Sequence, residues 1–156
     1  MGQATHEQVN LMLRLYELRR EPRLREARQW FLEQLRVTTP EELQKQCPPG
    51  SEASASLRMT LSYWDMCASI ANRGLVDEDL FFETTGEQFA VWEKLKPVVP
   101  AFRAQFKNPL MLASLEEHCR RFEAWREERA PGSTAALREL LQRMAQAGQA
   151  AKAASE

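Results

Sequence analysis

Arg58, Asp65, Ser69 and Asn72 are the residues of this chain whose types and spacing could do shared chemistry. A turn of about 100° per residue places them, with Ser62, on one strip of an otherwise apolar helical segment. A guanidinium, a carboxylate, a hydroxyl and a carboxamide in line suit a polar ligand, or the backbone of a neighbouring helix. Asp65 lies between Trp64 and Met66. A carboxylate at the edge of a buried face must be solvated or paired. Arg58 is two turns away, and Arg103 from another helix is a further candidate partner. A structural hydrogen-bond network is the favoured reading. A polar pocket or a partner-binding groove is the competing one.

Other constellations carry less. His118 and Cys119 are adjacent and point about 100° apart on a helix, so they do not share a metal ion, and His6 sits near the N-terminus. Asp77-Glu78-Asp79 lacks the spacing and the late Glu of a calcium loop, which leaves helix capping as its role. Glu83 and Glu87 read as a solvated face, and no Glu-x-x-His pair accompanies them. No Gly-x-Ser-x-Gly elbow and no phosphate-cradling glycine loop occurs. Cys67 falls in an apolar arc, as a buried inert thiol. Arg14, Arg19, Arg20, Arg23, Arg25, Arg28 and Arg36 interleave with Glu17, Glu21, Glu26 and Glu33, the pattern of a salt-bridged solvent face. No catalytic, cofactor-binding or metal-binding residue is assigned, and neither nucleic acid nor membrane is expected as a partner.

Helices position these residues. Thr5 to Gln8 reads as a capping box, with Val9, Met12, Leu13 and Tyr16 following at helical spacing. Pro22 opens a second helix with Leu24, Ala27, Phe31 and Leu35 on one face. Thr39-Pro40-Glu41-Glu42 caps a short helix that stops at Pro48-Pro49-Gly50. The spacing predicts a long helix over 54–73. Leu57, Leu61, Trp64, Ala68 and Ala71 form one stripe of it, and Met59, Tyr63, Met66 and Ile70 a second. Gly74 closes it in the left-handed conformation, with Leu75 as the closing hydrophobic contact and Asp77 capping the next turn. Thr85 to Gln88 reads as another capping box. Pro97 and Pro100 redirect the chain, Phe102 and Phe106 lie on a short helix, and Pro109 starts a long one. A last helix carries Leu137, Leu140, Leu141 and Met144. The Ala-rich end is a frayed tail or an extension of that helix.

Tyr63-Trp64-Asp65, then Ala-Ser, then Asn72-Arg-Gly-Leu-Val-Asp-Glu-Asp-Leu-Phe-Phe82, then Val-Trp-Glu-Lys-Leu-Lys-Pro97 resembles a family of small all-helical bacterial proteins known as a domain of unknown function. The resemblance spans roughly Tyr63 to Pro97. It implies a helical fold and a bacterial cytoplasmic setting, and it transfers no site residues.

A chain of 156 residues with 44% hydrophobic and 28% charged residues fits one ordinary domain. Its net charge of −1 gives no bulk attraction to polyanions. Three cysteines without a CxxC suggest reduced thiols. No apolar run reaches membrane length, the N-terminus lacks signal-peptide order, and His6 occupies the position where a myristoylation signal needs Ser or Thr. The reading is all-α: six or seven helices around a central helix of 54–73, with residues 1–147 as the domain and 148–156 as the tail. The leading function is a non-catalytic protein-interaction or structural module, acting on a protein partner or as a homo-oligomer. The competing class is an enzyme or small-ligand binder using the strip around Asp65 and Asn72.

Overall fold

The computed structural model describes residues 2–156. Nine α-helices and no strand lie among them. They are α1 (His6–Arg19), α2 (Pro22–Glu33), α3 (Pro40–Gln46), α4 (Glu52–Asn72), α5 (Glu78–Thr84), α6 (Glu87–Leu95), α7 (Val99–Gln105), α8 (Ala113–Arg129) and α9 (Ser133–Ala154). The expected count of six or seven is too low, because the seven-residue α3, α5 and α7 are helices in their own right. α9 continues through residues 148–154.

Most starts follow from local chemistry. Thr5 and Thr39 form reciprocal capping boxes with Gln8 and Glu42. Ser51 accepts the Ser54 N–H at 3.1 Å, which starts α4 two residues earlier than expected. Asp77 accepts the Leu80 N–H at 2.8 Å and opens α5. At the end of α4, Gly74 has φ +71°, and the Gly74 and Leu75 N–H groups return to Ala71 and Ile70. The hydrophobic contact expected of Leu75 is made instead by Val76, which is buried while Leu75 is exposed.

Two starts differ from their sequence signals. Thr85 forms no capping box, and α6 begins at Glu87 behind Gly86, which offers no side-chain cap. Gln88 is fully buried and donates its amide to the Thr85 carbonyl at 2.9 Å. α8 does not begin at Pro109. The chain turns through Asn108 to Leu112, and Leu112 holds a left-handed φ of 55° before the first turn.

The core forms where α4 packs against both α2 and α8. The buried line of α4 is Ser56, Thr60, Tyr63, Trp64, Cys67, Ala68 and Ala71. It is narrower than the two expected stripes, for Leu57, Leu61, Met59 and Ile70 are half-buried and Met66 is exposed. Small polar residues reach the interface because their hydroxyls can be satisfied within the helix. Thr60 Oγ1 donates to the Ser56 carbonyl at 2.9 Å. Phe31, Trp64, Phe89 and Phe122 are each under 2% exposed. Burial of such a side chain contributes about 1.5–3 kcal/mol. Phe122 lies 5.3 Å from Phe82 and 5.6 Å from Phe89, so one aromatic cluster joins α5, α6 and α8. The aromatic stock is thus spent mainly inside, with Tyr16 and Phe106 left exposed.

Candidate functional site

The strip on α4 meets the first turn of α8. Asp65 Oδ1 accepts the Leu115 backbone N–H at 2.9 Å. Leu115 is the third residue of α8, the position whose N–H a capping side chain normally takes. Leu112, at the capping position itself, offers no side-chain acceptor. Asp65 therefore acts as a cap supplied from another helix, with its charge at the positive end of the α8 dipole. One strip residue further along, Asn72 Nδ2 donates to the Ser114 carbonyl at 2.9 Å. Ser69 hydrogen-bonds the Arg73 guanidinium, which also reaches the Ser69 carbonyl at 3.2 Å. Arg58 is exposed at the edge of an open cleft of about 680 Å³ that Asp65, Met111 and Leu110 also line. Arg103 is not the partner of Asp65; it binds Glu116 at 2.7 Å and the Met111 carbonyl at 2.9 Å.

Sequence reasoning missed Glu87. It is not on a solvated face: both oxygens take Arg28, at 2.7 and 2.6 Å, and Oε1 also accepts Trp64 Nε1 at 3.1 Å. Arg28 and Glu87 side chains are 14% and 18% exposed, so the pair is largely desolvated. No local signal marks it, because the partners are 59 residues apart. Lys94 is also internal. Its amine donates to the carbonyls of Phe31 and Leu32, at 2.9 and 2.6 Å, and burial together with the charge of Arg36 pushes it down to about 8.

The nucleophilic side chains are muted. Burial pushes the Cys67 thiol up to about 11 and raises Cys119 further. His118 stands against the rings of Phe81 and Phe82 at 5.3 and 5.1 Å. Burial, with Arg121 adding to it, lowers His118 to about 4. No group of three or more His, Cys, Asp or Glu converges on a metal-sized site among the described residues.

The least expected surface is on α1. Of the stripe Val9, Met12, Leu13 and Tyr16, none is fully buried, and Leu13 and Tyr16 are 56% and 48% exposed. The core residue of α1 is Leu15, whose carbonyl accepts Tyr63 Oη at 2.6 Å. That bond rotates α1 so that its stripe opens a cleft of about 370 Å³ over Tyr63, Trp64 and Phe81. Two arginines stand at its Tyr16 edge. Arg19 lies over the Tyr16 ring at 4.9 Å and Arg20 at 5.6 Å. The salt-bridged face expected of this hairpin is sparse. Within it only Arg23 and Glu26 approach, at 3.9 Å, while Arg23 and Arg28 reach out to Glu52 and Glu87. Arg14, Arg20 and Arg25 have no carboxylate in ion-pair range among the described residues.

Residues 4–122 match a domain of unknown function, DUF4760. The chain belongs to that family. The DUF4760 region is wider than the resemblance over Tyr63 to Pro97 and takes in both N-terminal helices. It contains the α1 cleft, the Asp65 strip and the Arg28–Glu87 pair, and it ends within α8 at Phe122. α9 lies beyond it. No curated protein and no solved structure matches the chain. Among the described residues, no helix is long and apolar enough to cross a membrane.

Proposed function

We propose that the protein is a non-catalytic interaction module that holds an amphipathic, acidic-flanked helix of a partner protein in the α1 cleft. The exposed stripe of Leu13 and Tyr16 beside Tyr63, Trp64 and Phe81 carries this reading. Such a surface suits helix-in-groove recognition, in which apolar anchors at helical spacing enter a groove. Charge selects the partner. Between residues 14 and 28 the hairpin has six arginines against three glutamates. A carboxylate-bearing helix is attracted there, whereas a second copy docked through the same face would bring arginine to arginine. A homo-oligomer through α1 is therefore disfavoured. Nucleic acid is disfavoured too, because the centre of the face is apolar.

The strip of Arg58, Asp65, Ser69 and Asn72 serves the fold in this reading. A ligand site there would have to draw on Asp65 and Asn72, which already engage the backbone of α8. Three buried cysteines without disulfides favour a reducing compartment, in keeping with the bacterial cytoplasm that the resemblance implies.

The test is fluorescence anisotropy with a labelled helical peptide carrying leucines at i, i+3, i+4 and i+7 and glutamates on its flanks. A lysine-flanked twin and single-stranded DNA serve as competitors. The glutamate peptide should bind at least about tenfold tighter than its twin, a difference of about 1.4 kcal/mol. Leu13→Asp with Tyr16→Asp should remove the binding and leave the helical circular dichroism unchanged. Equal binding of the two peptides, DNA binding insensitive to those substitutions, or a wild-type dimer that they split would each overturn the proposal.

A further inference from the structure

A second cleft, of about 600 Å³, lies between the end of α2, α6 and α9. It shares no lining residue with the α1 cleft and lies within the size range of small-molecule sites. Its apolar surface comes from Leu32, Ala90, Pro97, Leu141 and Met144, over the buried Leu35 and Val37. Three cations line it: Arg138, which is paired with Glu93 and Glu123, and Lys94 and Arg36. The latter two cap α2. Lys94 takes the carbonyls of Phe31 and Leu32, and Arg36 those of Glu33 at 2.7 Å and Leu35 at 2.8 Å. Arg36 also donates to the Ala145 carbonyl of α9 at 3.3 Å.

Charge and donors are both left over. A helix C-terminus supplies only about half a negative charge, and Glu42, held by the neutral groups of Thr38 and Thr39, adds one, against the two positive charges of Lys94 and Arg36. The carboxylates near the cleft are engaged elsewhere. Glu42 accepts from Thr38 and Thr39, Glu87 from Arg28, and Glu93 from Arg138. Neither Lys94 nor Arg36 has a carboxylate in ion-pair range among the described residues. A lysine has three N–H donors and an arginine five. Two are spent on Lys94 and three on Arg36, so hydrogen-bonding capacity remains at both.

We propose that this cleft binds an aliphatic carboxylate, with its chain on the apolar wall and its head between Lys94 and Arg36. One carboxylate fits between the two cations and accepts the remaining N–H groups, while its tail covers Leu32, Ala90 and Leu141. Because α9 forms one wall and lies outside the DUF4760 match, the site belongs to chains that carry this extra helix.

The test is calorimetric titration with dodecanoate below its micelle concentration, near neutral pH, with dodecyltrimethylammonium and acetate as controls. Dodecanoate should bind one-to-one, and both controls should fail to bind. Lys94→Met should weaken binding at least about tenfold. Lys94→Met also strands two carbonyls of α2, so Ala90→Trp provides a second variant that fills the cleft and keeps both cations. It should weaken binding to a similar extent, with unfolding midpoints recorded for each protein. At saturation, the Lys94 ε-carbon resonance of the wild type should titrate at higher pH than in the free protein. No dodecanoate binding, equal binding of the cationic amphiphile, undiminished binding by a folded Ala90→Trp, or an unmoved Lys94 titration would each overturn the assignment.

Discussion

Asp65→Ala tests whether the polar strip of α4 serves the fold. Asp65 Oδ1 takes the N–H of Leu115, a residue with no solvent exposure, so water cannot readily replace the lost acceptor. Losing a helix cap costs about 1 kcal/mol, and stranding a buried donor costs about 1–3 kcal/mol; these describe one bond and are not added. The charge at the positive end of the α8 dipole contributes about 0.3–1 kcal/mol more. Asp65→Ala should therefore lose about 2 kcal/mol, or about 4–8 °C in Tm for a chain of this size. Asp65→Asn keeps an acceptor and loses only the charge, so about 0.5 kcal/mol is expected. Ser62→Ala, on the exposed part of the same strip, should change stability by less than about 0.5 kcal/mol. Urea melts of the four proteins at neutral pH read all three differences. An Asp65→Ala protein as stable as wild type would refute the cap and return the strip to the search for a ligand.

Further expectations concern other parts of the fold. Gly74→Val should destabilise by about 1–3 kcal/mol, because φ +71° is strained for a β-branched residue, and Gly74→Asn by less; urea midpoints compare them. His118 is lowered to about 4 in the fold from 6.5, so between those values the unfolded chain binds more protons and stability falls as pH falls. The full loss is about 3 kcal/mol below pH about 4, and His118→Leu should flatten that part of a stability–pH curve; an unchanged curve would disprove the assignment. Glu87→Gln leaves Arg28 largely buried without its counter-charge and should cost about 3 kcal/mol, with a weaker effect when Arg28→Met is already present. Additive losses in that double-mutant cycle would mean the two side chains do not interact.

What was legible in the sequence was local. Thr5, Thr39 and Asp77 cap helices because the groups they satisfy lie within three residues. Gly74 closes α4 for the same kind of reason. Thr85 has the same residue types, yet the partner of its box is drawn inside: Gln88 is buried against the core and Glu87 turns to Arg28. The α1 stripe has the right period for a core face, but Leu15 is held by Tyr63 and the stripe is turned outward. The composition of the strip was readable, and so was its need for a partner. That the partner of Asp65 is a backbone N–H rather than a cation was not, because nothing near Leu115 in the sequence points to residue 65. The same distance hid Lys94 and Arg36, whose acceptors belong to the ends of other helices.

The cap shared between α4 and α8 has a consequence for the order in which the chain folds. Asp65 leaves the ribosome 50 residues ahead of Leu115, so the template for α8 is complete before α8 is synthesised. Asn108 and Pro109 offer a rival start within the nascent segment itself, since Asn108 Oδ1 already accepts the Leu110 N–H at 3.0 Å and proline suits a first helical turn. Severed from α4, the stretch from Asn108 onward would nucleate by that local signal. Attached, it is delayed to Ala113 and holds Leu112 in a conformation that leucine resists. The frame in which α8 is wound is thus written in a helix that precedes it.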